Sequence, residues 1–284
     1  MTIRIVTDST CDLDGATVAE YDIRVVPLFI NMPGGSYLDG VEISREEFYR
    51  QLPACNPAPT TAAPGPDAFK RVYDDLADQG ASGVLTIHIS EKLSGVMNSV
   101  RVGAEQTTSV PVTVVDSGQL TMGLGYLVEA AAQAARAGRT MVEIMDQLRE
   151  QMTRTYVFAA LDTLEFLKRS GRMNKYVAGL GELLQLKPLL RMHLGEPIAD
   201  KVRTTSRAIQ RVATWLGEIS PVEKVTMVHT HVPERAEAVL EVVRGLLPGG
   251  PVASRDVTPV LGAHLGPGAV GFACVSAAAV DPSV

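Results

Sequence analysis

Cysteine is scarce in this chain. Cys11, Cys55 and Cys274 are odd in number, far apart and never arranged as C-x-x-C, which argues against a disulfide framework or a thiolate zinc site. Basic charge is short as well: 26 Lys and Arg stand against 32 Asp and Glu, for a formal net charge of -6. A field of that sign opposes a phosphate backbone, so nucleic acid is not an expected partner. No apolar run reaches the roughly 18 residues of a membrane helix. The opening MTIRIVTDST also lacks a basic start, an apolar middle and a small-residue cleavage site. Stable membrane insertion is not expected, and the cytoplasm is the expected location.

Nucleotide and hydrolase signatures are missing too. There is no G-x-x-x-x-G-K-[ST] and no G-x-S-x-G elbow. Gly266-Pro267-Gly268-Ala269-Val270-Gly271 matches G-x-G-x-x-G in letters, but it leads into an apparent strand rather than a helix, and Pro267 removes an amide that would face pyrophosphate. No cofactor is expected. His229 and His231 could share one face of a strand, yet without a third ligand they are weak evidence for zinc, and no metal is expected. His88 and His193 lie in apolar segments and read as satisfied core or edge residues.

What is present is α/β alternation over 284 residues, a length that suits two domains. Short apolar runs at Ile3 to Val6, Val25 to Ile30, Gly83 to Ile89 and Val112 to Val115 read as strands. Three of them end in polar groups: Asp8-Ser9-Thr10, Ser90 through Ser94-Gly95, and Asp116-Ser117. Residues 53 to 66 hold five prolines and must form an extended or turning loop around Thr60 and Thr61. Helices are expected at 69 to 79, 96 to 106, 121 to 137 and 140 to 153. From Tyr156 the alternation restarts: a strand to Leu161, a polar helix ending Lys168-Arg169-Ser170-Gly171-Arg172, another helix to about 186, and a hairpin from Pro188 through Gly195 to Arg203. Helices at 205 to 218 and 234 to 246 and strands at 224 to 229, 252 to 257 and 269 to 275 follow. The expected domains are 1–154 and 155–284.

Open parallel sheets bind ligands beyond the carboxyl ends of their strands, so the polar strand ends are site candidates. Each has a structural rival. Asp8, Ser9, Thr10, Asp116 and Ser117 could simply cap turns and helices. Ser94 beside a helix N-terminus could donate to an anion or only cap. His264, between Gly262 and Gly266, reads as part of a Gly-rich turn where backbone can approach a ligand.

Thr7-Asp8-Ser9-Thr10, Pro59-Thr60-Thr61, Lys92-Leu93-Ser94-Gly95, Val115-Asp116-Ser117, Gly171-Arg172 and His264-Leu265-Gly266-Pro267-Gly268 together resemble the DegV family in order and spacing. The resemblance implies two α/β domains with a ligand tunnel between them and a long-chain fatty acid buried there without turnover. It assigns the carboxylate to Thr61, Ser94 and His264. Asp8, Ser9, Thr10, Thr60, Gly95, Asp116, Ser117 and Gly266 are further pocket candidates. The family also implies a separate fatty acid kinase that makes acyl phosphate for phospholipid synthesis, with Arg172 in docking and Lys168 and Arg169 beside it as a basic patch. Where many members have Thr-Ser-Gln-Pro, this chain has Thr61-Ala62-Ala63-Pro64, so fewer hydrogen bonds are expected around the carboxylate. A protonated His264 would add a charge-assisted bond. The competing readings are an acyl hydrolase or acyltransferase using Ser94 and His264, and a protein that clamps a partner.

Overall fold

The fold is that of a computed structural model describing residues 2–172 and 186–278. The expected helix ending near 186 lies outside the described residues.

The first half is built on a parallel sheet in the order β2-β1-β6-β7, made of Arg24–Val26, Ile3–Asp8, Gly83–His88 and Val112–Asp116. Every residue of β6 is buried, as a strand covered on both faces requires; this explains the continuous apolar runs. Helices α1 (Gly15–Glu20), α3 (Pro66–Asp78) and α4 (Val96–Glu105) make the crossovers. The intervening α2 is Arg45–Gln51, capped by the Ser44 hydroxyl, which accepts from the Glu47 amide at 3.1 Å. The parallel registers put Asp8, His88 and Asp116 at the same carboxyl edge.

The run Val25 to Ile30 is not one strand. Pro27 interrupts it, since a proline cannot donate to a ladder, and the residues beyond it form β3 (Phe29–Met32) in a different sheet. That antiparallel sheet has the order β4-β3-β5, with β4 at Gly35–Leu38 and β5 at Thr60–Ala62. The proline-rich segment is therefore more ordered than a loop. It holds a 3-10 turn at Leu52–Ala54 and then β5, in which Thr61 pairs with Ile30.

The second half carries a six-stranded mixed sheet, β10-β9-β8-β13-β11-β12. Its strands are Thr155–Ala160 (β8), Lys187–His193 (β9), Glu196–Val202 (β10), Val222–His229 (β11), Ala253–Asp256 (β12) and Val270–Ser276 (β13). The hairpin of β9 and β10 turns at Leu194-Gly195 as its sequence predicts, both at positive φ.

Helix α5 (Thr121–Arg136) joins the halves. It packs on β1 and also on β8 and β13, and its small residues permit the approach: a Cβ on Gly125 would lie 2.5 Å from the Cys11 carbonyl oxygen. Polar ties reinforce the contact. Gln119 Nε2 donates to the Thr155 carbonyl at 2.9 Å, and Tyr126 and Thr226 share a hydroxyl bond of 2.6 Å. The largest apolar cluster accordingly runs from Ile3 to Val275, across both halves. Helix α6 (Met141–Met152) then leads into β8. Among the described residues, no helix is long and apolar enough to cross a membrane.

Candidate functional site

Three remote segments bring Thr61, Ser94 and His264 to one cavity of about 710 Å³. Thr61 comes from β5 and Ser94 from the turn between β6 and α4. His264 is carried by a helix over Pro259–Leu265, not by the Gly-rich turn that its neighbours suggested. Pro259 opens that helix, and Gly266, at φ 73°, closes it. Gly266 is thus an end-cap for the His264 helix. A Cβ there would sit 2.2 Å from the Phe166 ring.

Thr61 Oγ1 and His264 Nε2 are 2.9 Å apart. His264 Nδ1 is buried without a partner among the described residues, and a buried polar atom of that kind is costly unless something bonds it. Burial, followed by the nearby positive charge of Arg172, pushes the imidazole down to about 4. His264 is therefore neutral at pH 7, without the charge-assisted bond that a protonated ring would add. Arg172 is the charged side chain lining this cavity, and its Nη1 donates to the Ser170 carbonyl at 2.8 Å.

Ser94 Oγ accepts from the Val96 amide at 3.3 Å in the turn before α4, whose N-cap is Gly95, while its own proton stays available to a ligand. The hydrolase arrangement is not assembled. The ring of His264 bonds Thr61 rather than Ser94, and no carboxylate among the described residues orients it. Ala62 and Ala63 both line the cavity.

The remaining candidates separate. Thr10 and Gly95 line the same cavity. Asp8 stands behind Thr10: its carboxylate accepts from the Thr10 amide at 3.0 Å and from the Thr10 hydroxyl, and it meets His88 Nδ1 at 2.9 Å. Burial pushes the Asp8 carboxyl up, but the His88 bond and charge, Thr10 and the Ile89 amide outweigh it and leave the group below its ordinary value. Ser9 faces a neighbouring cleft with Asp12, Asp39 and Arg45. Thr60 is exposed and accepts from Asn31 at 3.4 Å. Asp116 and Ser117 cap their own turn, accepting from the amides of Gly118 and Gln119 at 2.9 and 3.0 Å. Lys168 and Arg169 are exposed near Arg172, and Arg169 bonds Glu165 at 2.7 Å.

His229 and His231 do not form a metal face. His229 ends β11, whereas His231 lies beyond it at φ 59°, and both rings lie within ion-pair distance of Asp256. Among the described residues no group of three metal-binding side chains occurs.

A second cavity of about 600 Å³ adjoins the first, and the two share Leu93 and Leu261. Its walls come from both halves, with Leu120 from one and Val157, Leu190, Met192 and Val228 from the other. Its few polar side chains are engaged elsewhere: the Thr121 hydroxyl donates to Asp12 at 2.5 Å, Arg191 pairs with Glu218 at 3.0 Å, His229 Nδ1 meets Asp256 at 3.0 Å and the Thr230 hydroxyl accepts from the Ala269 amide at 2.8 Å. Scattered single apolar residues gave no sequence signal for this cavity.

Comparison with known proteins bears on the chain as a whole. The family model described as "Uncharacterised protein, DegV family" matches residues 2–277. A DegV domain-containing protein of Streptomyces coelicolor is 36% identical over 275 residues, covering 95% of this chain and 96% of the relative. A DegV family protein from Thermus thermophilus, described by its fatty acid binding, superposes with a TM-score of 0.84 at 31% identity, over 97% of this chain and 100% of the other. A DegV lipid-binding protein from Thermotoga maritima does so with a TM-score of 0.86 at 27% identity, over 98% and 100%.

Proposed function

This chain belongs to the DegV family, and from that premise we propose that it is a fatty acid-binding protein without turnover of its own. The observation that carries the reading is that a polar cavity and an apolar one lie against each other across two shared wall residues, Leu93 and Leu261. A long-chain fatty acid has that same division. Its hydrocarbon gains about 0.8 kcal/mol per buried CH₂, so the head group needs only orientation and a replacement for lost water.

In this reading the carboxylate accepts from Thr61, Ser94 and His264, with Thr10 at the wall and Arg172 supplying positive charge. Asp8 and His88 hold Thr10 in place. The finer role follows the family resemblance: the protein presents the carboxylate to a fatty acid kinase in the cytoplasm, which brings ATP and makes acyl phosphate. Arg172 lines the head cavity, and Lys168 and Arg169, exposed a few residues before it, add a basic edge that suits an acidic partner surface. We also keep the partition 1–154 and 155–284 as a proposal, since the parallel and mixed sheets divide there.

The test is denaturing mass spectrometry of material extracted from the purified protein. One fatty acid per chain is the expected result. Protein that carries none, and takes none up when offered, sinks the reading. Release of product from acyl esters that disappears in Ser94→Ala would establish an acyl hydrolase instead.

A further inference from the structure

We infer that Leu93 and Leu261 form a collar that admits only acyl chains unsubstituted near the carboxyl group; this rests on the fatty acid reading above. These two residues line both cavities. Any chain whose head lies in the polar cavity and whose tail lies in the apolar one passes between them. Both are nearly fully buried, at 5% and 6% exposure, so neither can swing away into solvent.

The collar is fixed by the same elements that place the head-group ligands. Leu93 precedes Ser94 in one turn, and its amide donates to the Ser90 carbonyl at 2.9 Å. Leu261 precedes His264 by three residues on one helix, which puts the two side chains on the same face. Three helical residues rise about 4.5 Å, which sets the collar at roughly the third to fifth carbon of an extended chain. Two leucine side chains offer no hydrogen-bond partner to a hydroxyl there and, at interior packing density, little room for a methyl branch.

The chemical class is therefore straight-chain fatty acids, with 3-hydroxy and 3-methyl acids refused. Pockets that sense one methyl group discriminate by about 10–200-fold. Binding of hexadecanoic, 3-methylhexadecanoic and 3-hydroxyhexadecanoic acids is compared by displacement of a fluorescent fatty acid. In the wild-type protein the straight acid is expected to bind at least about tenfold more tightly than either substituted acid. Leu261→Ala and, separately, Leu93→Ala should shrink the methyl gap to about threefold or less. Met192→Ala, in the apolar cavity away from the collar, should weaken all three acids and keep the gap.

Leu93 is in a turn rather than a helix, so its variant tests the idea even if Leu261→Ala fails to fold. Straight-chain binding with an unchanged methyl gap in the folded collar variants overturns the collar alone. Equal binding of straight and 3-methyl acids by the wild type does the same. Failure of the wild-type protein to bind any of the acids overturns the fatty acid reading, and the collar with it.

Discussion

The two cavities that meet at Leu93 and Leu261 treat polarity oppositely. The apolar one has Thr121, Arg191, His229 and Thr230 in its wall, yet each already has a partner, in Asp12, Glu218, Asp256 or the Ala269 amide. The polar one leaves a His264 nitrogen unbonded and the Ser94 hydroxyl proton available. Residue type therefore does not decide what a wall offers a ligand. What decides it is whether the polar atoms are already satisfied.

The largest effect expected from disturbing this contrast is on the polar side's foundation. His88→Ala removes the partner of a fully buried carboxylate, and breaking such a pair costs roughly 3–5 kcal/mol. Urea denaturation should show a loss of that order, with Thr60→Ala, on an exposed strand position, near zero. A loss under about 1 kcal/mol would mean that Asp8 is held well enough by Thr10 and the Ile89 amide alone.

Next comes the apolar side. Ala159 faces the cavity from β8, and Ala159→Phe would occupy the space of roughly three methylenes, at about 0.8 kcal/mol each. That predicts about 2 kcal/mol, or roughly thirtyfold, weaker retention of a long acid. Short acids should be spared. Equal losses for eight- and sixteen-carbon acids would place the tail elsewhere.

How much of this was legible in the sequence depends on what each residue answers to. Strand ends, the β9–β10 hairpin and the capped helices follow from local rules, and the structure keeps them. The break at Pro27 was legible too, because proline cannot sit inside a central strand. Thr61 was harder. Its strand exists only because Ile30 lies opposite, a pairing across about thirty residues that no local pattern records. His264 reads as part of a turn on its flanking glycines alone, although Pro259, at the first helical position, is the signal for a helix. The six motifs located the head cavity through resemblance, not through periodicity. The tail cavity left no trace, since a lining Val or Leu looks like any core residue.

His264 gives a smaller effect with a clear sign. Its imidazole is depressed to about 4, so it stays neutral from pH 5 to 8, and ligand retention should not fall as pH rises through 6.5. A protonated clamp would behave the opposite way. For stability, a histidine with a lowered folded pKa loses its contribution as pH falls from about 6.5 toward 4, because the unfolded chain takes up the proton first. Asp12 works against this. Burial pushes its carboxyl up to about 6 despite Arg45 and Thr121, so the cost of its ionised form, present above pH 6, is relieved as pH falls toward 4. Denaturation of His264→Gln and Asp12→Asn between pH 4 and 7 should separate the two slopes. His264→Ala should weaken retention by about 1 kcal/mol, roughly fivefold; unchanged fatty acid content in the purified variant would remove His264 from the head group.

The smallest effect tests whether the polar cavity is under-furnished. Ala62 and Ala63 line it where polar side chains are expected from the family pattern. Ala62 follows Thr61 in β5, so side-chain alternation turns the two to opposite faces of the strand. Ala63 lies just beyond the strand end and, two residues from Thr61, is the better placed to reach the same group. Ala63→Gln should therefore strengthen retention by the net worth of one hydrogen bond, about 0.5–1.5 kcal/mol, and Ala62→Ser by less. Competition between a labelled and an unlabelled acid resolves a difference of that size. A weaker Ala63→Gln would mean that the amide is buried without a partner, and that the two alanines suit a cavity whose hydrogen bonds are already complete once the acid is bound.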